Sequence, residues 1–574
     1  MIMTLKKRLI ILAMSITGFL VILDTNIMNI TIPEIQSSLH VSLTNLSWAI
    51  NIYTILFAAF LIPFGRIGDI FGHTKLLNIA LLIFGLGSIV SGTSTTLNNL
   101  LIGRSIQSIG AAIMLPSGMI LGFHQVNKEQ RPKIIAILAA TQALGAALGP
   151  TIGGFVSQYF GWHWVFLINV PIVAIVLMIT LMTLSMKDES TKQIKIDLLG
   201  SIIIAITLIL LTLALVEGRN WGWSSLGTIS CLVSSLALFI IFVIHEKTTD
   251  DPLVPLNLFR QRNYIGANVA LLIAFIVMSS FIGIIPTFLT KVMDTSELHA
   301  ALLITPMSVT LLIATPVATR LIGKISNRIL IGFGIIMLIT SVFLLNQLNV
   351  ESNWDQLYLI DVLLGLGIGF VAGPAMSIAV KNLDGSRLTA GQNVLNVVRN
   401  IGVIVGIALF LSLLDGNINA AKKDTYNYSV GEIQKSELPG SLQNKFIAKI
   451  HSRMNSNQIN NNNGSNNFKT TPQISKRQTD QMVEKASDQI IKEKNQVLKL
   501  QLPIAVQQKI HEQVKTKVQR KVITTNTTLR KLTRNIRSYL HNHLTNAFLN
   551  LYKFELPFVL ASIFSIMIFE RKNN

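Results

Sequence analysis

The sequence predicts an all-α polytopic membrane protein, and three observations carry that prediction. Half of the 574 residues are hydrophobic and 13% are charged, against about 25% charged in a soluble domain. Mean hydropathy is +0.54. Apolar runs of about 17–25 residues, the length that crosses a bilayer core, recur from end to end.

Fourteen spans follow, at 9–32, 47–65, 76–94, 98–122, 134–160, 164–185, 197–216, 226–245, 265–290, 299–322, 329–347, 355–379, 391–414 and 556–570. The first, Leu9–Ile32, has no small-residue cleavage site and more spans come after it, so it reads as a span and not as a signal peptide. Cys231 is the single cysteine, which excludes an intramolecular disulfide. No Cys/His spacing suits a metal and no Walker A loop occurs, which argues against a fused ATPase, an enzymatic centre or a bound cofactor as the energy source.

Short connections on one side carry Lys6, Lys7 and Arg8, then Arg66 and Lys75, then Lys128, Arg131 and Lys133, then Lys187, Lys192 and Lys195. The same side continues with Lys247, Arg260 and Arg262, with Arg320, Lys324 and Arg328, with Lys381 and Arg387, and with Arg571 and Lys572. The opposite connections hold little beyond Arg219 and Lys291. Positive charge stays inside, so both termini are expected in the cytoplasm, and an even number of spans requires the same.

Residues 415–555 break the rhythm. They hold 23 Lys and Arg against 10 Asp and Glu, a net of +13 within a chain total of +20. Long loops translocate largely regardless of charge, so this segment is expected outside the cell. The tract Asn455–Asn467 is low in complexity and is expected to be disordered. Beyond it Val506, Ile510, Val514, Val518 and Val522 form one apolar stripe, and Leu529, Leu532, Ile536, Leu540, Leu544 and Phe548 form another. Both have helical spacing, bounded by Pro503 and by the cluster Thr524–Thr528. Two readings stand: helices that bury their stripes against each other, or a basic hairpin that attracts anionic lipid or wall polymer. The basic residues lack interleaved aromatics, which argues against nucleic acid.

Span 5 contains Gly145-Ala-Ala-Leu-Gly149-Pro150-Thr-Ile-Gly153-Gly154. Glycine costs about 1 kcal/mol and proline about 3 in a helix interior in water, but small residues let membrane helices approach closely. Ordinary close packing of the GxxxG kind is one reading; the other, implied by the family resemblance given below, is a seal at the contact between two halves of the bundle. Between spans 2 and 3 lies Gly65-Arg66-Ile67-Gly68-Asp69-Ile70-Phe71-Gly72-His73-Thr74-Lys75. Its glycines permit a tight turn, while Asp69 can cap the next helix or pair with a base.

These strings resemble signatures of the major facilitator superfamily. Gly145–Gly154 resembles the antiporter motif of helix 5, and Gly65–Lys75 resembles the superfamily's cytoplasmic loop, with Ile70 and His73 where arginines are usual. Leu23-Asp24-Thr25 through Pro33 resembles the helix 1 motif of the fourteen-helix drug/proton antiporter branch. Arg104 through Ala112 resembles its helix 4 motif, with Ser108 replacing a glycine. Trp162 through Pro171 resembles its helix 6 motif, with His163 replacing arginine. Gly402 and Gly406 in span 13 echo Gly145 and Gly149, without the proline.

The resemblance implies a major facilitator fold of 14 transmembrane helices, two six-helix halves with two helices inserted. The boundaries are 1–190 for the first bundle, 191–262 for the insertion, 263–414 for helices 9–13, 415–555 for the basic loop and 556–574 for helix 14 and a tail. It also implies efflux of lipophilic, often cationic compounds across a bacterial cytoplasmic membrane, driven by the proton gradient. Export of an endogenous lipid, glycolipid or peptide is the alternative, and a non-transporting sensor or scaffold is a further one.

Charges at membrane depth mark candidate sites. Asp24 lies roughly 10 Å and Arg104 roughly 9 Å from the outer ends of their spans at 1.5 Å per residue, and the resemblance puts both spans beside the central cavity. Asp24 is expected to exchange the coupling proton, with Arg104 stabilising its ionised form; a permanent structural pair is the other reading. Asp361, Arg399 and Gln107 are candidates for the substrate cavity. Glu34 and Glu217 are expected at solvated interfaces.

Overall fold

The computed structural model describes residues 5–127, 130–185, 197–348, 354–455 and 473–569, nearly all of them helical. Lys128, Lys187, Lys192, Lys195, Arg571 and Lys572, the boundary at 190/191 and the Asn-rich tract from residue 456 lie outside the described residues, as does the side chain of Pro150.

The first helices are α1 (Leu5–Leu39), α2 (Leu43–Phe71), α3 (His73–Gly92), α4 (Leu97–His124) and α5 (Arg131–Phe160), followed by the short α6 (His163–Leu167) and α7 (Asn169–Thr183). Next come α8 (Leu198–Trp221), α9 (Leu226–Thr248), α10 (Arg262–Lys291), α11 (Glu297–Arg320), α12 (Asn327–Asn346) and α13 (Asp355–Val380). The chain closes with α14 (Gly385–Gln434), α15 (Gly440–Asn455), α16 (Lys476–Leu498), α17 (Ile504–Leu549), α18 (Leu551–Ala561) and α19 (Ile563–Ile568). Thirteen stretches of the described residues are long and apolar enough to cross a bilayer, α6 and α7 counting as one. With α5, itself 30 residues long, they make fourteen among the described residues, the number of spans read from the sequence.

Local chemistry sets several helix ends. Ser42, Thr96, Ser225 and Ser296 each accept a hydrogen bond from the backbone N–H three residues on, and Asp197 does the same for Gly200. Each cap satisfies an otherwise orphaned donor at the start of a helix. Gly72 separates α2 from α3 at φ 91°, a conformation that favours glycine.

The chain divides into two compact units, the first Met1–Pro286, Ser296–Leu413 and Leu549–Asn574, the second Thr287–Thr295 and Leu414–Phe548. In the first unit α1 packs along α5, α4 and α7, while α4 packs against α2 and α3. A second set repeats the scheme: α13 packs against α11 and α12, α12 against α18, and Gly402 and Gly406 bring α14 onto α10. The sets meet where α5 runs along α11 and α13, and where Gly65 of α2 abuts Asn393 of α14. Helices α8 and α9 pair with each other, and α8 leans on α2. Glycine permits these approaches: a Cβ on Gly110 would lie 2.8 Å from the Phe84 backbone.

The second unit takes in residues 415–548 of the basic segment together with Leu414 and Thr287–Thr295, while Leu549–Glu555 belong to the first unit. Its core joins Ile433 and Leu438, Phe446, Ile450 and Met454 of α15, and Leu529, Leu532 and Ile536 of α17. The two apolar stripes expected on separate helices lie on one helix of 46 residues. The threonine cluster does not break it. Thr524, Thr527 and Thr528 donate back to carbonyls four residues earlier, at 2.9–3.1 Å, which satisfies their hydroxyls within the helix. The later stripe therefore packs on α15 and the end of α14, and not on the earlier one. Likewise α14 continues unbroken to Gln434 instead of ending near residue 414, since no proline intervenes and each added residue adds a backbone bond.

Candidate functional site

The helix 1 and helix 4 charges meet. Arg104 Nη1 lies 2.6 Å from Asp24 Oδ2, with the two side chains 1% and 0% exposed. Gln107 Nε2 and Asn169 Nδ2 donate to Asp24 Oδ1 at 3.1 and 2.8 Å. The guanidinium also donates to Gln107 Oε1 and to the Ala49 carbonyl, and lies over the Tyr53 ring, 4.2 Å from its centroid. Gln107 is itself held by Ser88 and Ser91 of α3. Five helices thus supply one buried polar cluster: α1 the carboxylate, α4 the cation and amide, α2 a carbonyl and ring, α3 two hydroxyls, α7 an amide. Burying a charge is tolerable only with such pairing. Ser108 does more than fill a glycine's place, since its Oγ donates to the Tyr53 carbonyl at 2.6 Å.

Asn169 and Gln142 were missed in the sequence reading, and both had a signal. Asn169 is the one amide of the run Trp162–Pro171, set among Val165, Phe166, Leu167, Ile168 and Val170. Gln142 stands three residues before Gly145, as Arg399 stands three before Gly402. The structure joins these two: Arg399 Nη1 donates to Gln142 Oε1 at 2.7 Å, across the contact between the two helix sets. Arg399 is buried, with the Phe275 ring centroid 5.6 Å away.

Asp361 is not brought to any other predicted residue. It is fully buried in α13, and neither carboxylate oxygen has a hydrogen-bond partner among the described residues. Glu555 was assigned to the loop but is fully buried in α18, where Ser280 of α10 donates to its Oε1 at 2.7 Å. Glu217 is not at a solvated interface. It is buried, accepting from Asn51 and Asn220 at 2.8 and 2.9 Å. Glu34 is half-buried and accepts from Ser157 and from the Trp162 backbone.

The glycine stripe lies elsewhere than expected. A Cβ on Gly145 would stand 2.7 Å from the Phe19 carbonyl, one on Gly149 2.9 Å from Asn26, and one on Gly153 2.8 Å from the Ile27 carbonyl. All three face α1 within the first helix set, so the stripe is not the contact between sets. The reason is depth: a row of glycines makes a groove that admits a neighbouring backbone, and α1 fills it. Gly154 is half-buried.

In the loop, Asp69 does not cap α3. Its Oδ1 accepts from Thr389 of α14 at 2.7 Å and lies 3.2 Å from His73 Nε2, while Arg66 approaches Oδ2 at 4.0 Å. His73, in an arginine's usual place, still contacts Asp69 and reaches Ser117 at 3.4 Å. A Cβ on Gly68 would strike the His73 ring, and one on Gly65 the Asn393 amide. Lys75 is exposed. Near this end Arg131 bonds the Leu383 carbonyl at 3.0 Å and Asp384 at 3.3 Å, so α5 and α2 both fasten onto the start of α14.

Comparison with known proteins agrees with this architecture. The chain is 27% identical to Multidrug resistance protein Stp of Mycobacterium tuberculosis, over 77% of this chain and 81% of that protein. It is 25% identical to Riboflavin transporter RibZ of Clostridioides difficile, over 77% and 94% respectively. Against Multidrug resistance protein 3 of Bacillus subtilis it is 26% identical, over 71% and 83%. Among solved structures, the proton:xylose symporter XylE shares the fold at a TM-score of 0.51 and 15% identity, covering 72% of this chain and 89% of that one. The family profile of the Major Facilitator Superfamily matches residues 14–407, ending before Leu414, where the larger segment of the second unit begins; the chain belongs to that superfamily.

Proposed function

We propose that this protein exports lipophilic small molecules across the bacterial cytoplasmic membrane by alternating access, in exchange for inward-moving protons. Both termini lie in the cytoplasm in this reading, and the bound species are substrate, protons and surrounding lipid. The observation that carries it is the buried Asp24–Arg104 pair, reached by donors from α4 and α7. Protonating Asp24 removes the acceptor charge that Arg104, Gln107 and Asn169 share. The guanidinium then has to find other acceptors, and a change at one atom is felt by five packed helices. A carboxylate whose environment alternates between two states can load a proton on one side and release it on the other. The relatives named as multidrug resistance proteins support drug efflux as the use of this machinery.

The test is flux of a lipophilic dye in proteoliposomes under an imposed pH gradient, with and without a protonophore. Dye movement that ignores the gradient overturns the coupling, and absence of movement overturns the transporter.

A second reading, export of an endogenous lipid or glycolipid, is favoured by one observation. In the second unit Val497, Leu498, Leu500 and Ile504 are exposed together beside Lys494 and Lys499, a combination suited to an anionic lipid or wall-polymer surface. Deleting residues 425–545 leaves dye efflux intact in the first reading and abolishes export in the second.

A further inference from the structure

The two helix sets are related by an internal repeat, and the glycines give its register. Gly145 and Gly149 of α5 press on the Phe19 carbonyl and Asn26 of α1. Gly402 and Gly406 of α14 press on the Leu272 carbonyl of α10 and on Ile276 and Ser279. In that register Gln142 and Arg399 are equivalent positions, each three residues before the first glycine. They also touch, at 2.7 Å. Equivalent residues of two related halves meet only next to the axis that relates them. The Gln142–Arg399 contact therefore marks the centre line of the bundle, about eight residues into either span.

What stands on that line is a guanidinium without a carboxylate. Arg399 is buried, bonds the neutral Gln142 and lies near the Phe275 ring, and among the described residues no acid pairs with it. Asp24 is already engaged by Arg104 within the first helix set. One turn and two turns before Arg399, Asn396 and Gln392 face the same way, donating only to the Met119 thioether at 3.7 and 3.6 Å. Their amide oxygens are buried without partners. A thioether is a weak acceptor, and buried polar groups left unpaired are costly. A cation and two half-satisfied amides along one face, between halves that separate, need acceptors and donors from elsewhere.

We propose that the central site binds a substrate carrying an anionic group, a carboxylate, sulfonate or phosphate, which takes Arg399 from Gln142 while Asn396 and Gln392 bond the polar remainder. This rests on the transporter reading above, and it opposes in sign the often cationic cargo that the family resemblance implies. An anion gives Arg399 the charge-assisted partner that the protein withholds.

The test compares two xanthene dyes of opposite charge, anionic fluorescein and cationic rhodamine 6G, by fluorescence anisotropy against the full-length protein in phosphatidylcholine nanodiscs. Wild type binds fluorescein at least tenfold tighter than rhodamine 6G. Arg399→Gln weakens fluorescein at least tenfold, and Gln142→Glu does the same by giving the guanidinium an internal carboxylate. Arg399→Lys, with its charge kept, stays within about threefold of wild type, which separates lost charge from misfolding; monodisperse elution of every variant is the second control. Competition by short-chain phosphatidic acid, but not by short-chain phosphatidylcholine, would assign the anion to a lipid headgroup; no competition by either assigns it to a soluble anion. A wild type that binds neither dye or prefers rhodamine 6G overturns the proposal, as does unchanged fluorescein affinity in Arg399→Gln. Dye binding without gradient-driven flux overturns the transporter reading instead and leaves the anion site standing.

Discussion

Replacing Asp24 by asparagine separates a coupling group from a structural bridge. The carboxylate takes Arg104 on one oxygen and both Gln107 and Asn169 on the other. An asparagine keeps one oxygen, so it can satisfy the two amides and must then turn its own NH2 toward the guanidinium. Two donors face each other, and a buried cation loses the carboxylate that pairs with it. Removing one partner of a buried pair in this way costs about 3–5 kcal/mol. Removing both, in Asp24→Asn with Arg104→Gln, eliminates the stranded charge and should restore most of that stability. The assay combines thermal unfolding in detergent with gradient-driven flux in proteoliposomes. The single variant should unfold at lower temperature, the double should recover most of the loss, and neither should couple transport to the pH gradient. Gradient-driven accumulation by the single variant, or its return in the double, would show that the pair only holds helices together.

Other expectations follow from particular contacts. Gly145→Leu should lower the unfolding temperature, because its side chain meets the Phe19 backbone within one helix set; overpacking of this kind costs about 1–3 kcal/mol, and an unchanged temperature would contradict the placement against α1. Asp69→Asn should loosen the α2–α14 contact by weakening the bonds to Thr389, His73 and Arg66. In a Cys231→Ser background, a cysteine at Asn396 should then react faster with an impermeant thiol reagent, and an unchanged rate counts against the contact. Leu532→Ala should destabilise the second unit by about 2–4 kcal/mol, read as faster hydrogen exchange across residues 414–548 with α1–α7 unaffected. Thr527→Pro should split α17, at about 3 kcal/mol or more, seen as exchange near residue 527; protection there would argue for two helices.

Much of the fold was legible in the sequence because the membrane leaves few choices. A run of 20 apolar residues in lipid must be a helix, since only there are its backbone groups satisfied. The pairing of Asp24 with Arg104 was legible too, because two opposite charges at matched depth in an apolar slab have strong reason to meet. Interruptions read less well. The Thr524–Thr528 cluster and the stretch after residue 414 look like breaks, but hydroxyls that bond back to the helix, and a chain without proline, continue it.

By itself the sequence determined the spans, their number, the glycine repeat shared by α5 and α14, and the two charges that neutralise each other. Only the tertiary structure decided which surface each polar residue faces. Gly145–Gly153 turned toward α1 and not toward the other half, Glu555 came in from a supposed loop, and Arg399 stood opposite Gln142 with no acid paired to it among the described residues. The physical reason is that hydropathy and spacing fix depth along a helix axis, whereas rotation about that axis is settled by the neighbours that fill each groove.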